Sequence, residues 1–285
     1  MSVTRRGPIV RGVEPHGGGD NWVTALCDAR GRFPEPVERV LPDSGCTGEW
    51  PLHVHCFLLQ LDGDVVLVDT GVGPPGAPAA GWFAEPGNLT AELAATGLTP
   101  SDVTHVILTH LHIDHVGWTV QRGAGNPTFP NARYVVQQTE LRHLGERAPY
   151  LDHVKPLADA GLLDAVDGTV RILPRLVVEP TPGHTPGHQS VVADLGQRTL
   201  FLSGDVFVHP AQLERPDIGY RYEHDPRVAA ATRRDVLRRA AHPEVLLAPA
   251  HFAATMVLVE ATSTGASRVT VASRCRHADG ADGAP

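Results

Sequence analysis

The chain has a single lysine, Lys155, and the rest of its 24 basic residues are arginine. That skew, with abundant Ala, Gly and Pro, is a compositional bias and carries no functional reading. No run of about 18 apolar residues occurs, so no membrane span is expected. No apolar stretch follows Arg5 and Arg6 between Met1 and Gly19, which argues against a secretory signal. Cysteine is sparse. Cys27, Cys46, Cys56 and Cys275 are scattered with no CxxC pair, a pattern of neither a disulfide framework nor a thiolate zinc site. Cys56, inside an apolar run, reads as core packing. A cytoplasmic protein with free thiols is the expectation. The net charge of −8 speaks against nucleic acid as a partner. No GxSxG occurs to carry a serine nucleophile, and no repeat of fixed period is present.

What the chain has is apolar residues at 42%, enough for a substantial core in one large domain or two small ones. Residues 1–50 are rich in glycine, proline and charge, and read as an irregular N-terminal segment packing on the core. Leu52–Gln60 and Val65–Val68 read as strands, joined by an Asp-Gly hairpin signature at Asp62-Gly63. A short helix over Leu89–Thr96 stops at Gly97. Val103–Leu108 and Ala132–Val136 read as strands, Gln138–Leu144 as a helix, and Leu157–Leu163 as a further one. Val170–Val178, Val191–Leu195, Thr199–Leu202 and Val245–Leu247 read as extended. Ala229–Ala241 is predicted helical, with Arg233-Arg234 and Arg238-Arg239 on a solvated face. Residues 262–285, without sustained apolar pattern, read as a polar tail. Strand pairs with intervening helices predict mixed sheets flanked by helices in one domain.

The chain also has 16 histidines. One histidine alone means little, so spacing must carry the argument. After the apolar strand comes His110-Leu111-His112-Ile113-Asp114-His115, six residues with four metal-grade side chains. Unpartnered, such groups at a strand end would each cost about 1–3 kcal/mol or more. A transition metal supplies the partner. His110 and His112, two apart in an extended segment, project to one side. Asp114 and His115 follow a bend and can serve a second metal. His184, Asp205 and His251 also fall at strand ends, and imidazole and carboxylate suit zinc, iron or manganese.

HLHIDH, followed in order by TPGHTPGH, by Ser203-Gly204-Asp205 and by the isolated His251, resembles the metallo-β-lactamase superfold over roughly residues 50–255. The resemblance implies an α/β fold, an αββα sandwich of two mixed β-sheets flanked by helices, with the metals at the edge where the sheets meet. It implies a metallo-β-lactamase-like domain over residues 51–261. By position, His110, His112 and His184 would hold one metal, Asp114, His115 and His251 the other, and Asp205 would bridge them. Two divalent ions are implied, zinc first, with iron, manganese or cobalt also accepted by such ligands. Asp69 in the Asp-Thr-Gly step would support the site from behind. His188 reads as structural. His53 and His55 share a strand face and are expected to be bland. His209 and Trp118 are candidates for the pocket or its backing.

Gly204 to Gln212, Asp225-Pro226 and Ala250-His251-Phe252 resemble the methyl parathion hydrolase-like branch and its esterase and lactonase relatives. TPGHTPGHQS is shared with the acyl-homoserine lactonases. Those place a tyrosine close after the bridging aspartate, where this chain has Val206, Phe207 and Val208. The resemblance implies hydrolysis of an ester, lactone or related acyl or phosphoryl small molecule by a metal-bridging hydroxide, with Asp114 and Asp205 catalytic. A glyoxalase II-like or polyketide-type thioesterase would use the same chemistry. A mononuclear iron dioxygenase of the superfold would use one metal only. The chain would act without nucleic acid or membrane, alone or as a homodimer.

Overall fold

Alternation along Pro51–Leu61 decides what lies on either side of it. Phe57, Leu59 and Leu61 join one apolar cluster, while Cys56 and Leu58 join another, because residues two apart on a strand share a face. The computed structural model of the chain describes residues 16–18, 21–83, 86–145, 147, 150–261 and 267–277. In it this segment is the third of seven strands in a first sheet. In chain order these are β1 (His16–Gly18), β2 (Asn21–Arg32), β3 (Pro51–Leu61), β4 (Asp64–Val68), β5 (His105–Ile107), β6 (Arg133–Gln137) and β7 (Leu163–Val166). The pairing is antiparallel from β1 to β4 and parallel from β4 to β7.

A second sheet holds β8 (Val170–Leu173), β9 (Leu176–Pro180), β10 (Gln189–Asp194), β11 (Thr199–Gly204), β12 (Val245–Pro249), β13 (Met256–Ala261) and β14 (Ser267–Ser273), side by side in that order. Only β11 and β12 are parallel. The helices are α1 (Val37–Val40), α2 (Leu89–Ala95), α3 (Gln138–Leu144), α4 (Lys155–Asp159), α5 (Ala211–Glu214) and α6 (Pro226–Ala240).

Three apolar clusters define four layers. Val23, Leu59, Val66 and Ile107 of the first sheet meet Val178, Val191, Leu202 and Leu246 of the second. On the outer face of the first sheet, Leu58, Leu67 and Tyr134 pack with Leu89 and Leu93 of α2 and Leu157 of α4. On the outer face of the second, Phe201, Leu247 and Val257 pack with Val236 and Leu237 of α6. The result is the expected αββα sandwich of two mixed sheets. The Asp62-Gly63 turn also stands as expected, with φ of 48° and 104°, the two positive values of a type I′ hairpin.

Several segments differ from expectation. Residues 21–32, read as irregular, form the twelve-residue strand β2. Its alternation is hidden because both faces are covered and a bulge interrupts the pairing between Cys27 and Ala29. Within the expected polar tail, residues 267–273 form an edge strand paired with β13, whose half-buried alternation is a weak signal. The helix read over Leu157–Leu163 ends at Asp159, and the chain turns into β7. Arg233 is on no solvated face; it is buried and paired with Glu223. Residues 1–15, with Arg5 and Arg6, and residues 262–266 and 278–285 lie outside the described residues. Among the described residues no helix is long and apolar enough to cross a membrane.

Candidate metal centre

Strands β4, β5, β11 and β12 all end at one edge of the sandwich, where their following loops meet. Hydrogen bonds stitch the two sheets together there. Gln189 N–H donates to Thr109 O at 2.8 Å, and His55 N–H donates to Ala250 O at 3.0 Å. Rigid strands thus aim loop side chains from distant parts of the chain at one point.

His110, His112, His184 and Asp205 form one group at that point, and Asp114, His115 and His251 another, with the ligand atoms of each within 4.8 Å of one another. His110 Nε2 and His184 Nε2 each lie 3.0 Å from His112 Nδ1. His115 Nε2 lies 3.2 Å from His251 Nε2, and Asp114 Oδ2 lies 3.8 and 3.7 Å from those two atoms. Asp205 stands between the groups. Its Oδ2 is 3.2 Å from His184 Nε2, and its Oδ1 is 3.3 Å from His115 Nε2 and 3.1 Å from His251 Nε2.

Ring nitrogens converging this closely are held by an N–H···N hydrogen bond or by a cation that their lone pairs share. A metal held at ~2.0–2.1 Å by nitrogen ligands gives ligand-to-ligand edges of about 3.3 Å, close to the spacings found. Burial first, with neighbouring imidazoles adding to it, holds His110 and His184 well below the usual histidine range. They are neutral, as ligands must be. At His115 burial opposes charge, yet Asp205, Asp69 and Asp114 outweigh it and push the group well above its ordinary value. That corner favours positive charge, which a metal cation supplies. The donor set fits two divalent ions.

The rings are held from behind. Asp69, at a positive φ of 61°, accepts from Thr109 N–H at 2.7 Å and from Thr109 Oγ1 and His115 Nδ1 at 2.8 Å each. His251 Nδ1 donates to His53 O at 2.8 Å. His188 Nε2 accepts from Asp205 N–H at 3.0 Å, and its Nδ1 meets Thr181 Oγ1, so it anchors the backbone of Asp205. Trp118 lies beneath the metal loop, donating Nε1–H to Asp28 at 2.9 Å. His209 sits edge-on to Trp50 with ring centroids 5.6 Å apart, behind the pocket wall. At Gly117 a Cβ would fall 2.2 Å from the backbone of Val72, so only glycine lets the loop after His115 pack there.

Three contributors had no signal as motifs. Glu140 of α3, buried, accepts from Leu111 N–H, Thr185 Oγ1 and Gly187 N–H, clamping the two histidine loops together. Asp28, at the β2 bulge, accepts from Val72 N–H and Leu89 N–H. Tyr220 arrives from the loop before α6 and stacks on His184, with centroids 6.1 Å apart at 12°. Arg233 fixes that loop through Pro216 O, Ile218 O and the Glu223 carboxylate. An aromatic in an irregular stretch was the only hint of Tyr220.

Above the two groups opens a cavity of about 470 Å³, lined by His112, Asp114, His184, Asp205, His251 and Tyr220 at its base, with Phe33, Trp50, Trp82, Leu144, Val208 and Tyr222 around it. A family model described as metallo-beta-lactamase superfamily matches residues 50–251. The chain belongs to the metallo-beta-lactamase superfamily. Among superfamily relatives, a probable metallo-hydrolase of Mycobacterium tuberculosis is 32% identical over 196 residues, 56% of this chain and 58% of that protein. An N-acyl homoserine lactonase of Bacillus thuringiensis is 29% identical over 160 residues, 51% of this chain and 60% of that one. The chain thus matches about three-fifths of the length of these curated relatives.

Two solved structures share the superfamily fold across nearly the whole chain. The hydrolase AbOPH superposes with a TM-score of 0.75 at 22% identity, covering 90% of this chain and 96% of its own. The dizinc quorum-quenching lactonase AidC, in complex with the product N-hexanoyl-L-homoserine, superposes with a TM-score of 0.74 at 19% identity, covering 93% and 98%.

Proposed function

We propose that the chain is a dinuclear metal-dependent hydrolase acting on a lactone or related acyl ester with an apolar tail. The observation that carries this is Asp205, whose two carboxylate oxygens face two separate groups of imidazoles at the base of an apolar cavity. His110, His112 and His184 would hold one ion, Asp114, His115 and His251 the other, and Asp205 both. Bound there, divalent ions lower the pKa of water towards neutrality and polarise the oxygen of the scissile group. Zinc is the first choice, with iron, manganese and cobalt tolerated by the same donors.

The remaining work falls to the chain's own groups. Asp205, kept ionised by the surrounding imidazoles of His251, His115 and His184 against its burial, accepts a hydrogen bond from the attacking water and orients it, and the water's proton goes to the leaving oxygen. Burial, followed by the charges of Asp205 and Asp114, pushes the Tyr220 phenol up. It stays protonated and donates to the substrate oxygen as negative charge develops. This phenol occupies the role that residues 206–208 lack. The aromatic wall excludes water and seats the tail. Relatives named as N-acyl homoserine lactonases support a lactone ring at the metals and an acyl chain along the wall.

The second group of ligands disfavours a single-iron dioxygenase, which would leave Asp114, His115 and His251 without a task. A panel of N-acyl lactones, aryl esters, acyl thioesters and phosphotriesters, assayed on metal-replete protein, tests the reading. Lactone or ester turnover is expected, lost with chelation and depressed by orders of magnitude in Asp114→Ala. Near-normal turnover in that variant, or one iron per chain with oxygen uptake on a persulfide, would overturn it.

A further inference from the structure

Two of the four cysteines, so scattered along the chain that no thiolate site was expected, meet in the fold. Cys27 of β2 and Cys275, just after β14, meet His53 and His55 of β3, and the four ligand atoms lie within 4.8 Å of one another. None is a ligand of the centre described above. All four are buried, at 6, 6, 5 and 1% exposure in that order. Register explains three of them: Cys27 is the direct partner of His55 across the β2–β3 pair, and His53, two residues back, shares its face. The two rings lie parallel, centroids 5.5 Å apart at 9°. The fourth is delivered by the chain end. Cys275 N–H donates to Ala253 O at 2.7 Å, and Arg276 pairs with buried Glu92 of α2.

We propose that Cys27, His53, His55 and Cys275 form a structural zinc site, distinct from the catalytic centre, that ties the C-terminal segment to the first sheet. The donor chemistry is the Cys2His2 set of tetrahedral structural zinc. Its edges need about 3.3–3.8 Å between donors, within the span observed. The tautomer is preset at His55: Nδ1 faces the Ala250 carbonyl at 3.2 Å, and a carbonyl only accepts, so Nδ1 carries the hydrogen. Nε2 then presents a buried lone pair within the group, where the Cys275 thiol also reaches the ring. Binding displaces two thiol protons to solvent and leaves two thiolates, two neutral imidazoles and Zn²⁺, a group with no net charge, suited to burial. Among the described residues the four cysteines are free of disulfides.

The site stands directly behind the catalytic edge. The carbonyl of His53 is the acceptor for His251 Nδ1, and the backbones of His53 and His55 pair with His251 and Ala250. Holding His53 therefore also sets the orientation of His251.

Cobalt substitution of the whole protein tests this without reference to turnover. A sulfur-to-cobalt charge-transfer band is expected, because the other centre has only nitrogen and oxygen donors and cannot produce one. One equivalent of zinc should leave native protein when its thiols are blocked with an organomercurial. Cys275→Ser should lose the band and one metal equivalent, whereas Asp205→Ala should keep the band. If Cys275→Ser does not fold, the sulfur count at zinc by X-ray absorption on the wild type decides. Absence of any sulfur ligation in the wild type, or a Cys27–Cys275 disulfide in freshly purified unreduced protein, would overturn the proposal.

Discussion

Replacing Asp69 by Asn acts first on one corner of the centre, at His115, and only through Thr109 on His110. Asp69 Oδ1 accepts from Thr109 N–H, and Oδ2 accepts from His115 Nδ1 and from the Thr109 hydroxyl. Asparagine keeps one oxygen and turns the other into a donor. Its φ of 61° suits asparagine as well as aspartate, so the backbone need not move. The Thr109 amide can only donate, and it claims the remaining oxygen. The new NH2 then faces His115 Nδ1, which must accept, and the ring proton is forced onto Nε2, the atom aimed at the metal. A charge-assisted hydrogen bond of about 1.5–3 kcal/mol is lost. Loss of such backing costs about 10–100-fold in metal affinity, equal to about 1.4–2.7 kcal/mol. Competition with a chromophoric chelator reads both affinities. The ion at Asp114, His115 and His251 should weaken by that factor; the ion at His110, His112 and His184 should weaken less, since Asp69 reaches His110 Nδ1 only through the Thr109 hydroxyl, and the urea midpoint stays nearly constant. Two unchanged constants, or two that fall by the same factor, would refute the assignment of His115 to a separate ion.

Two further variants address the loop that closes the pocket. Tyr220→Phe should lower kcat about 10²-fold, the cost of removing one donor to developing charge, with KM and thermal stability held; an unchanged kcat would place the hydroxyl away from the reacting oxygen. Arg233→Ala strips the buried Glu223 carboxylate of its cation, and urea denaturation should show a loss of about 3–5 kcal/mol; a loss under about 1 kcal/mol would mean the pair behaves like an exposed one.

Much of the site was legible because its signals are local. HLHIDH places two same-facing imidazoles and then a bend within six residues, and no tertiary information is needed to read that. The Asp62-Gly63 hairpin is equally local, since positive φ at two successive residues restricts composition. Glu140, Asp28 and Tyr220 left no such trace. Each acts on groups distant in sequence, as Glu140 does on Thr185 and Gly187. β2 and β14 were hidden for a related reason: a strand covered on both faces, or one at an edge, lacks the clean alternation that spacing can detect.

By itself the sequence determined the types and order of the candidate metal-binding side chains, and the alternation that commits the chain to two buried sheets. Side-chain chemistry and strand periodicity are properties of neighbours along the chain. Only the tertiary structure decided which carboxylate lies between the two histidine groups and that a tyrosine from the loop before α6 stacks on His184. It alone brought Cys27 and Cys275, 248 residues apart in number, to the same pair of histidines. Those are contacts between segments whose separation carries no period, and they exist only once the two sheets are packed face to face.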